Sequence, residues 1–472
     1  MKRNKKEWDE FQIYLEEFSR LSQQFMARLD TEKVAKIDVS LPELLLPEQG
    51  TDFSKCIELL EKQIIPQLSA ARGSRYWAFV TGGATPIATM ADWLVSIFDQ
   101  NVHKAGDSVA SLVEHQAIDW MLELFDLPRT FNGLMTTGGT ACNFLGMCVA
   151  RQYAGKLQGI DVAKEGVFAL DVEIFSTTPH ASTIKALGMA GIGQKSITKI
   201  TSINHTEKMD VDDLKAKMSA SHAKAKIVIA SAGTVTATDF DELDKVADVC
   251  KQHKAWLHVD GAFGLFERVA NGSNGKTKGI ERADSITVDC HKWLNVPYDC
   301  GTFLTRHLDL LEASFDVPAR YLANDSSTPD FMSLGVENSR RFRALPVWMT
   351  LLAYGKQGIK SWVDKNIQLS KTLADWIEQS EDYELSYPCQ MNVILFRINA
   401  SDLTNEEADR KTIELMNKIN KDGRIFVSPG QWQGREVIRL CISNWQTDDS
   451  DIEIAKKLLT ELADSKSSRV QT

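Results

Sequence analysis

Four short runs rich in β-branched and other apolar residues, Val172 to Ser176, Lys226 to Ser231, Ala255 to Asp260 and Asp284 to Asp289, alternate with segments long enough for helices. Such alternation predicts crossover units around a mostly parallel sheet. Between the second and third runs, Leu243, Val246, Ala247 and Cys250 recur at i, i+3, i+4 and i+7. That spacing puts one apolar helix face on the sheet. A strand-helix-strand unit follows, and a large α/β domain is the fold class that accommodates it.

The rest of the chain is organised around this block. Residues 1–72 place apolar side chains at helical spacing (Phe11, Tyr14, Leu15, Phe18, Leu21; later Ile57, Leu60, Ile64) on either side of a polar, proline-containing stretch from Pro42 to Asp52. They read as a helical N-terminal arm. Residues 73–325 form the large domain and 326–472 a smaller C-terminal α/β domain. The smaller domain is predicted to be helical after Pro346, with strands at Met391 to Ile398 and Val437 to Ile442 and a helix at Asn405 to Asn420 between them. Ser450 and Glu453 have the spacing of a capping box for the last helix, and the tail from Lys466 is polar.

Composition narrows the class of partner. With 472 residues, 43% hydrophobic and 25% charged, the chain is an ordinary globular one of two or three lobes. A net charge of −10 argues against a broad basic face for nucleic acid and favours small-molecule partners. No apolar run approaches the ~18 residues that cross a bilayer, so no membrane association is expected. The eight cysteines are scattered through apolar stretches with no Cys-x-x-Cys, which reads as reduced thiols in a cytoplasmic protein. No metal-ligand set is singled out.

Four segments carry groups with chemistry. Asp284-Ser-Ile-Thr-Val-Asp-Cys-His-Lys-Trp293 ends a β run in His291 and Lys292, at the strand end where parallel sheets bind ligands. Trp256-Leu-His-Val-Asp-Gly-Ala-Phe263 ends another in Asp260, whose carboxylate needs a cationic partner if buried. Met135-Thr-Thr-Gly-Gly-Thr-Ala-Cys-Asn143 sets two glycines before a helical run, a shape that suits a phosphate. Thr177-Thr-Pro-His180 puts an imidazole after a third strand. Each alone has an ordinary reading: a solvated lysine, a structural salt bridge, a plain turn, a satisfied core histidine. Together they supply a phosphate cradle, an imidazole for a ring face, an acid for a ring nitrogen and an amine for an aldehyde, the groups that would hold pyridoxal phosphate.

In that order the motifs resemble those of the pyridoxal-phosphate-dependent group II amino acid decarboxylases, which include the aromatic amino acid and glutamate decarboxylases. The resemblance runs from about Tyr76 to the final helix. It implies the aspartate-aminotransferase-like architecture (fold type I), pyridoxal 5'-phosphate as cofactor, and a homodimer with active sites at the subunit interface. Residue by residue, it implies that Lys292 bonds the cofactor aldehyde, Asp260 partners the pyridine nitrogen and His180 stacks on the ring. Gly139 and Thr140 would bind phosphate with His291 beside it, Ala262 would pack under the ring, and Thr234 would lie near its edge. Thr81 matches a substrate-pocket position, and Arg439 an arginine of the small domain that meets the substrate carboxylate in the glutamate-specific branch.

The activity so implied is decarboxylation of an L-amino acid to its amine and carbon dioxide. An alternative is decarboxylation coupled to oxidative loss of the amine, giving an aldehyde. It rests on a count back from Arg340-Arg-Phe-Arg343, which puts Phe331 where the aromatic branch has a loop tyrosine thought to return the proton; Tyr321 lies ten residues earlier. A third reading, a cofactor-binding protein without turnover, is opposed by the joint presence of Lys292, Asp260 and His180. For the substrate, Arg75, His103 and Lys104 flank segments expected to line the pocket and would suit an acidic side chain, whereas Trp77 and Phe79 would suit an aromatic one.

Overall fold

The computed structural model describes residues 5–104, 106–273, 275–316 and 330–467. Strands β1 (Asn132–Thr136), β2 (Val172–Ser176), β3 (Ile197–Lys199), β4 (Ala225–Ser231), β5 (Trp256–Asp260), β6 (Ser285–Val288) and β7 (Gly301–Thr305) form one sheet in the order β1-β7-β6-β5-β4-β2-β3. Pairing is parallel from β3 through β6, and β7 runs antiparallel to both its neighbours. The four β runs expected from sequence are β2, β4, β5 and β6, and the Leu243–His253 helix buries the Leu243, Val246, Ala247 and Cys250 stripe.

A second sheet, β10-β11-β9-β8, is built from β8 (Tyr383–Tyr387), β9 (Val393–Ile398), β10 (Ser428–Trp432) and β11 (Arg435–Cys441), all antiparallel. Alternate residues of its strands face opposite ways. Val393, Leu395, Val437 and Cys441 join the core of the large sheet, while Ile394, Phe396, Ile398, Ile438 and Leu440 close a separate core with the Asn405–Asp422 and Asp449–Ser467 helices. The long Ala344–Glu378 helix serves both cores, Val363 in the first and Leu369 in the second.

Local details differ from expectation where partners are distant in sequence. The last helix, Asp449–Ser467, starts two residues earlier than the Ser450–Glu453 box predicts. Asp448 accepts from the Ser450 amide at 2.9 Å, and its own amide donates to Asp451 at 3.1 Å. Glu453 instead pairs with Lys456. Trp77 is fully buried in the small core, its indole N–H on the Ser74 carbonyl. Arg75 is buried as well, bonded to Asp451 at 2.9 Å and to the carbonyls of Asp30 and Arg424. Arg75 thus links Asp30 to the region of the second sheet and Trp77 packs in that region's core, and neither lines the cleft described below. No described helix is long and apolar enough to cross a membrane.

Candidate active site

A cleft of about 350 Å³ opens at the carboxyl ends of the parallel strands. Backbone bonds between the strand exits gather its residues. The Ala232 amide donates to the Asp260 carbonyl at 2.9 Å, the Gly261 amide to Thr287 at 3.0 Å and the Asp289 amide to Ala262 at 2.8 Å. These links bring Asp260, Ala262, Asp289, His291 and Lys292 onto one wall. Against that wall the Gly139–Lys156 helix begins. Gly138 has φ +136°, and a Cβ there would lie 2.8 Å from the His291 ring, so only glycine fits. Cys142 is the first amide of that turn to find a backbone acceptor, at Gly138. The amides of Gly139, Thr140 and Ala141 are therefore the free end of the helix, with its positive dipole.

Lys292 Nζ lies 2.9 Å from Asp289 Oδ2 and 5.9 Å from the Phe263 ring. Asp260 Oδ2 accepts from Asn143 at 3.0 Å and Thr183 at 3.5 Å, and Oδ1 from the Ala262 amide at 3.2 Å. His180 caps the Ala181–Met189 helix, its Nδ1 bonded to the Ser182 hydroxyl at 2.6 Å and the Ser182 amide at 3.2 Å. Burial lowers the pKa of both His180 and His291, against an upward pull from Asp260 on the first and Asp289 on the second. Both rings are thus held toward the neutral form. Arg439, in β11, donates through Nε to the Val235 carbonyl at 2.5 Å, and its buried Nη2 has no hydrogen-bond partner.

The cleft thus brings together Gly139, Thr140, His180, Thr234, Asp260, Ala262, His291, Lys292 and Arg439, with Phe79 on its rim. Thr81 stands just behind the lining, its hydroxyl 3.3 Å from that of Tyr298. His103 and Lys104 are not among the lining residues. Phe331 is also elsewhere. It is 1% exposed, stacked on His115 at 4.5 Å and covered by the Arg340 guanidinium at 4.7 Å. Phe331 is therefore a buried core residue outside the cleft lining, not a residue exposed to that cleft. Tyr321 lies outside the described residues. Reading by sequence gave no role to Asp289 or Asn143, although both stood inside the quoted motifs. The available signal was polarity at a position that backs onto a buried parallel sheet.

A family model described as the pyridoxal-dependent decarboxylase conserved domain matches residues 38–399. The chain belongs to the pyridoxal-dependent decarboxylases. It is 30% identical over 417 residues to an aromatic-L-amino-acid decarboxylase of Bacillus atrophaeus, covering 86% of this chain and 85% of that one. An L-2,4-diaminobutyrate decarboxylase of Acinetobacter baumannii is 30% identical over 334 residues, covering 66% and 64%. Among solved structures, Oryza sativa TDC with PLP and tryptamine superposes with a TM-score of 0.88 at 22% identity, covering 97% of this chain and 98% of that one. This decarboxylase is a carboxy-lyase acting on an amino acid with pyridoxal phosphate as its cofactor. The residues present fit that group: a helix end with free amides for a phosphate, a carboxylate and an amine on the adjoining wall, and two buried polar atoms without partners, Asp289 Oδ1 and Arg439 Nη2.

Proposed function

We propose that in this decarboxylase Lys292 holds the cofactor and yields it to the substrate amine, Asp260 faces the pyridine nitrogen and His180 lies over the ring. Gly139, Thr140 and His291 hold the phosphate end, with Ala262 under the ring and Thr234 at its edge. When bound, pyridoxal phosphate supplies an aldehyde for the substrate amine and a ring that takes up the electron pair left when a bond at the α-carbon breaks. The protein's own groups decide how that capacity is used. An ionised Asp260 favours a proton on the ring nitrogen, and Lys292, once displaced, is an amine within the cleft that can carry a proton.

The observation that carries the substrate reading is Arg439. Its guanidinium is buried at the cleft with no carboxylate partner and one nitrogen unpaired. A buried donor left so is costly, and a substrate carboxylate satisfies it. A carboxylate fixed there has one orientation, which selects loss of carbon dioxide over loss of the α-proton. An acidic side chain would need a second cation. Among the described lining residues the other fixed positive charge is Lys292, which is paired with Asp289. Phe79, Val235 and Phe263 offer apolar surface instead. The substrate is accordingly an aromatic or other apolar L-amino acid, and the product its amine. Carbon dioxide release from cofactor-loaded protein, measured across the common amino acids with 2,4-diaminobutyrate included, should be highest for tryptophan, tyrosine or phenylalanine. Preference for glutamate or diaminobutyrate would overturn this choice.

The active assembly is a homodimer whose second copy closes the cleft. Support comes from the Pro86–Phe98 helix, which directs Met90, Trp93, Leu94 and Ile97 outward at i, i+3, i+4 and i+7. All eight cysteines are free thiols, seven of them at least partly buried, which supports a reducing, cytoplasmic setting.

A further inference from the structure

Behind Asp260 lies a buried polar layer of which Asn143 lines the cleft while His258, Ser285 and Thr287 do not. Strand pairing sets His258 opposite Ser285 and Asp260 opposite Thr287, so the four share one face of the large sheet. Asn143 and Gly146, three residues apart on the Gly139–Lys156 helix, sit over that face. His258, Ser285, Thr287 and Asn143 are all 0% exposed. Buried parallel strands are ordinarily apolar, so this layer needs a reason.

The hydrogen bonds give the layer a direction. Asn143 Nδ2 donates to Asp260 Oδ2 and to the Ser182 hydroxyl, each at 3.0 Å. Its Oδ1 therefore accepts, from Thr287 at 2.8 Å and from His258 Nε2 at 3.0 Å. The His258 proton must then sit on Nε2, and Nδ1 accepts from the Ser285 hydroxyl at 2.8 Å. Ser285 is free to donate because its oxygen already accepts from the Trp256 indole at 3.1 Å. Burial holds the imidazole down at about 4, consistent with a neutral ring. Every donor from Trp256 onward thus points toward Asp260, and such chains polarise one another. The Ser182 hydroxyl, in turn, meets His180 Nδ1. Shape enforces the same arrangement: a Cβ on Gly146 would lie 2.5 Å from His258 Cε1 and 2.7 Å from Nδ1.

We propose that Asn143 is a positioning hub, oriented by His258 from behind, that fixes Asp260 and His180 relative to one another and aims the Asp260 carboxylate at the cofactor's ring nitrogen. The proposal rests on the reading of Asp260 given above. Both amide ends of Asn143 are committed, so the hub has no slack: tilting His258 rotates the amide, and rotating the amide removes a donor from a carboxylate.

Titration of the full-length apoprotein with pyridoxal phosphate, followed by its visible absorbance, tests this without turnover. Asn143→Ala should weaken cofactor affinity about ten- to a hundredfold, the range for a lost hydrogen bond to a charged group, and shift the bound spectrum in the same direction as Asp260→Asn. His258→Asn, which lacks a donor at the Nε2 position, should weaken affinity severalfold, and His258→Gln, which restores one, should return to within about twofold of the parent. Gly146→Ala keeps every polar group, favours the helix, and should mimic His258→Asn. In an Asp260→Asn background, Asn143→Ala should add no more than about twofold. If Asn143→Ala and Gly146→Ala leave affinity and spectrum unchanged while Asp260→Asn alters both, the hub is only structural and the Asp260 reading survives. If Asp260→Asn itself changes neither, the reading beneath the proposal fails.

Discussion

At the scale of single residues, position relative to the cleft separates Lys292 from Phe331, although the sequence offers both as site residues. Lys292 reaches the cleft from the turn after β6, beside Asp289. Lys292→Ala should lower turnover by at least three orders of magnitude, and borohydride treatment of the cofactor-loaded variant should no longer attach the cofactor covalently. Covalent attachment to the alanine variant would show that a different lysine bears the chemistry. Phe331 is held between His115 and the Arg340 guanidinium. A hydroxyl added there by Phe331→Tyr enters the core and not the cleft, so the ratio of amine to aldehyde formed under air should stay as in the parent. A marked rise in that ratio would place residue 331 within reach of the substrate after all.

At the scale of elements, legibility follows the length of the apolar run and sequence separation, and the fully buried but antiparallel β7 was missed. The strands β2, β4, β5 and β6 were readable because central parallel strands are continuous apolar runs. Edge and short strands were not: β3 has three residues, β8 is largely polar, and β10 contains Pro429 and Gly430, residues that edge strands tolerate. In the site, Lys292, Asp260 and His180 stood out because each follows a readable strand. Arg75 misled because its carboxylate partner Asp451 is 376 residues away, and Trp77 because the core it packs in is built from residues 369–463. The same long-range logic governs the segment that begins at Asp330. Arg340 and Glu114 form a fully buried pair at 2.7 Å; Glu114 also takes the Met135 amide of β1, and Arg340 the carbonyls of Val102 and Met135. One ion pair thus ties four segments together, those of Val102, Glu114, Met135 and Arg340. Glu114→Gln leaves the guanidinium facing an amide, and breaking such a pair costs about 3–5 kcal/mol. The urea unfolding midpoint should fall accordingly, and an unchanged midpoint would mean that the four segments are held by packing alone.

At the scale of the whole molecule, the surface that most needs an explanation is the face formed by the Pro86–Phe98 helix and the arm helix Lys5–Arg28. Trp93, Leu94, Ile97 and Phe98 are between 37% and 51% exposed, and Ile13, Phe18 and Met26 of the arm are exposed as well. A soluble monomer seldom shows so contiguous an apolar area, and its continuity across two elements marks an interaction surface. The occupant we assign is a second copy of the chain. This surface adjoins the cleft through the segment that carries Phe79 and Val80, so covering it also restricts access of water to the substrate. Ile97→Glu places a charge at the C-terminal end of the stripe, where two copies related by a twofold axis would bring the same charge into both sides of the interface. The parent should sediment at about twice the 52.8 kDa of the chain, and Ile97→Glu as a single chain with reduced turnover but an unchanged unfolding midpoint for its isolated subunit. A parent that is monomeric at micromolar concentration, or a variant that remains dimeric, would move the interface elsewhere on the molecule.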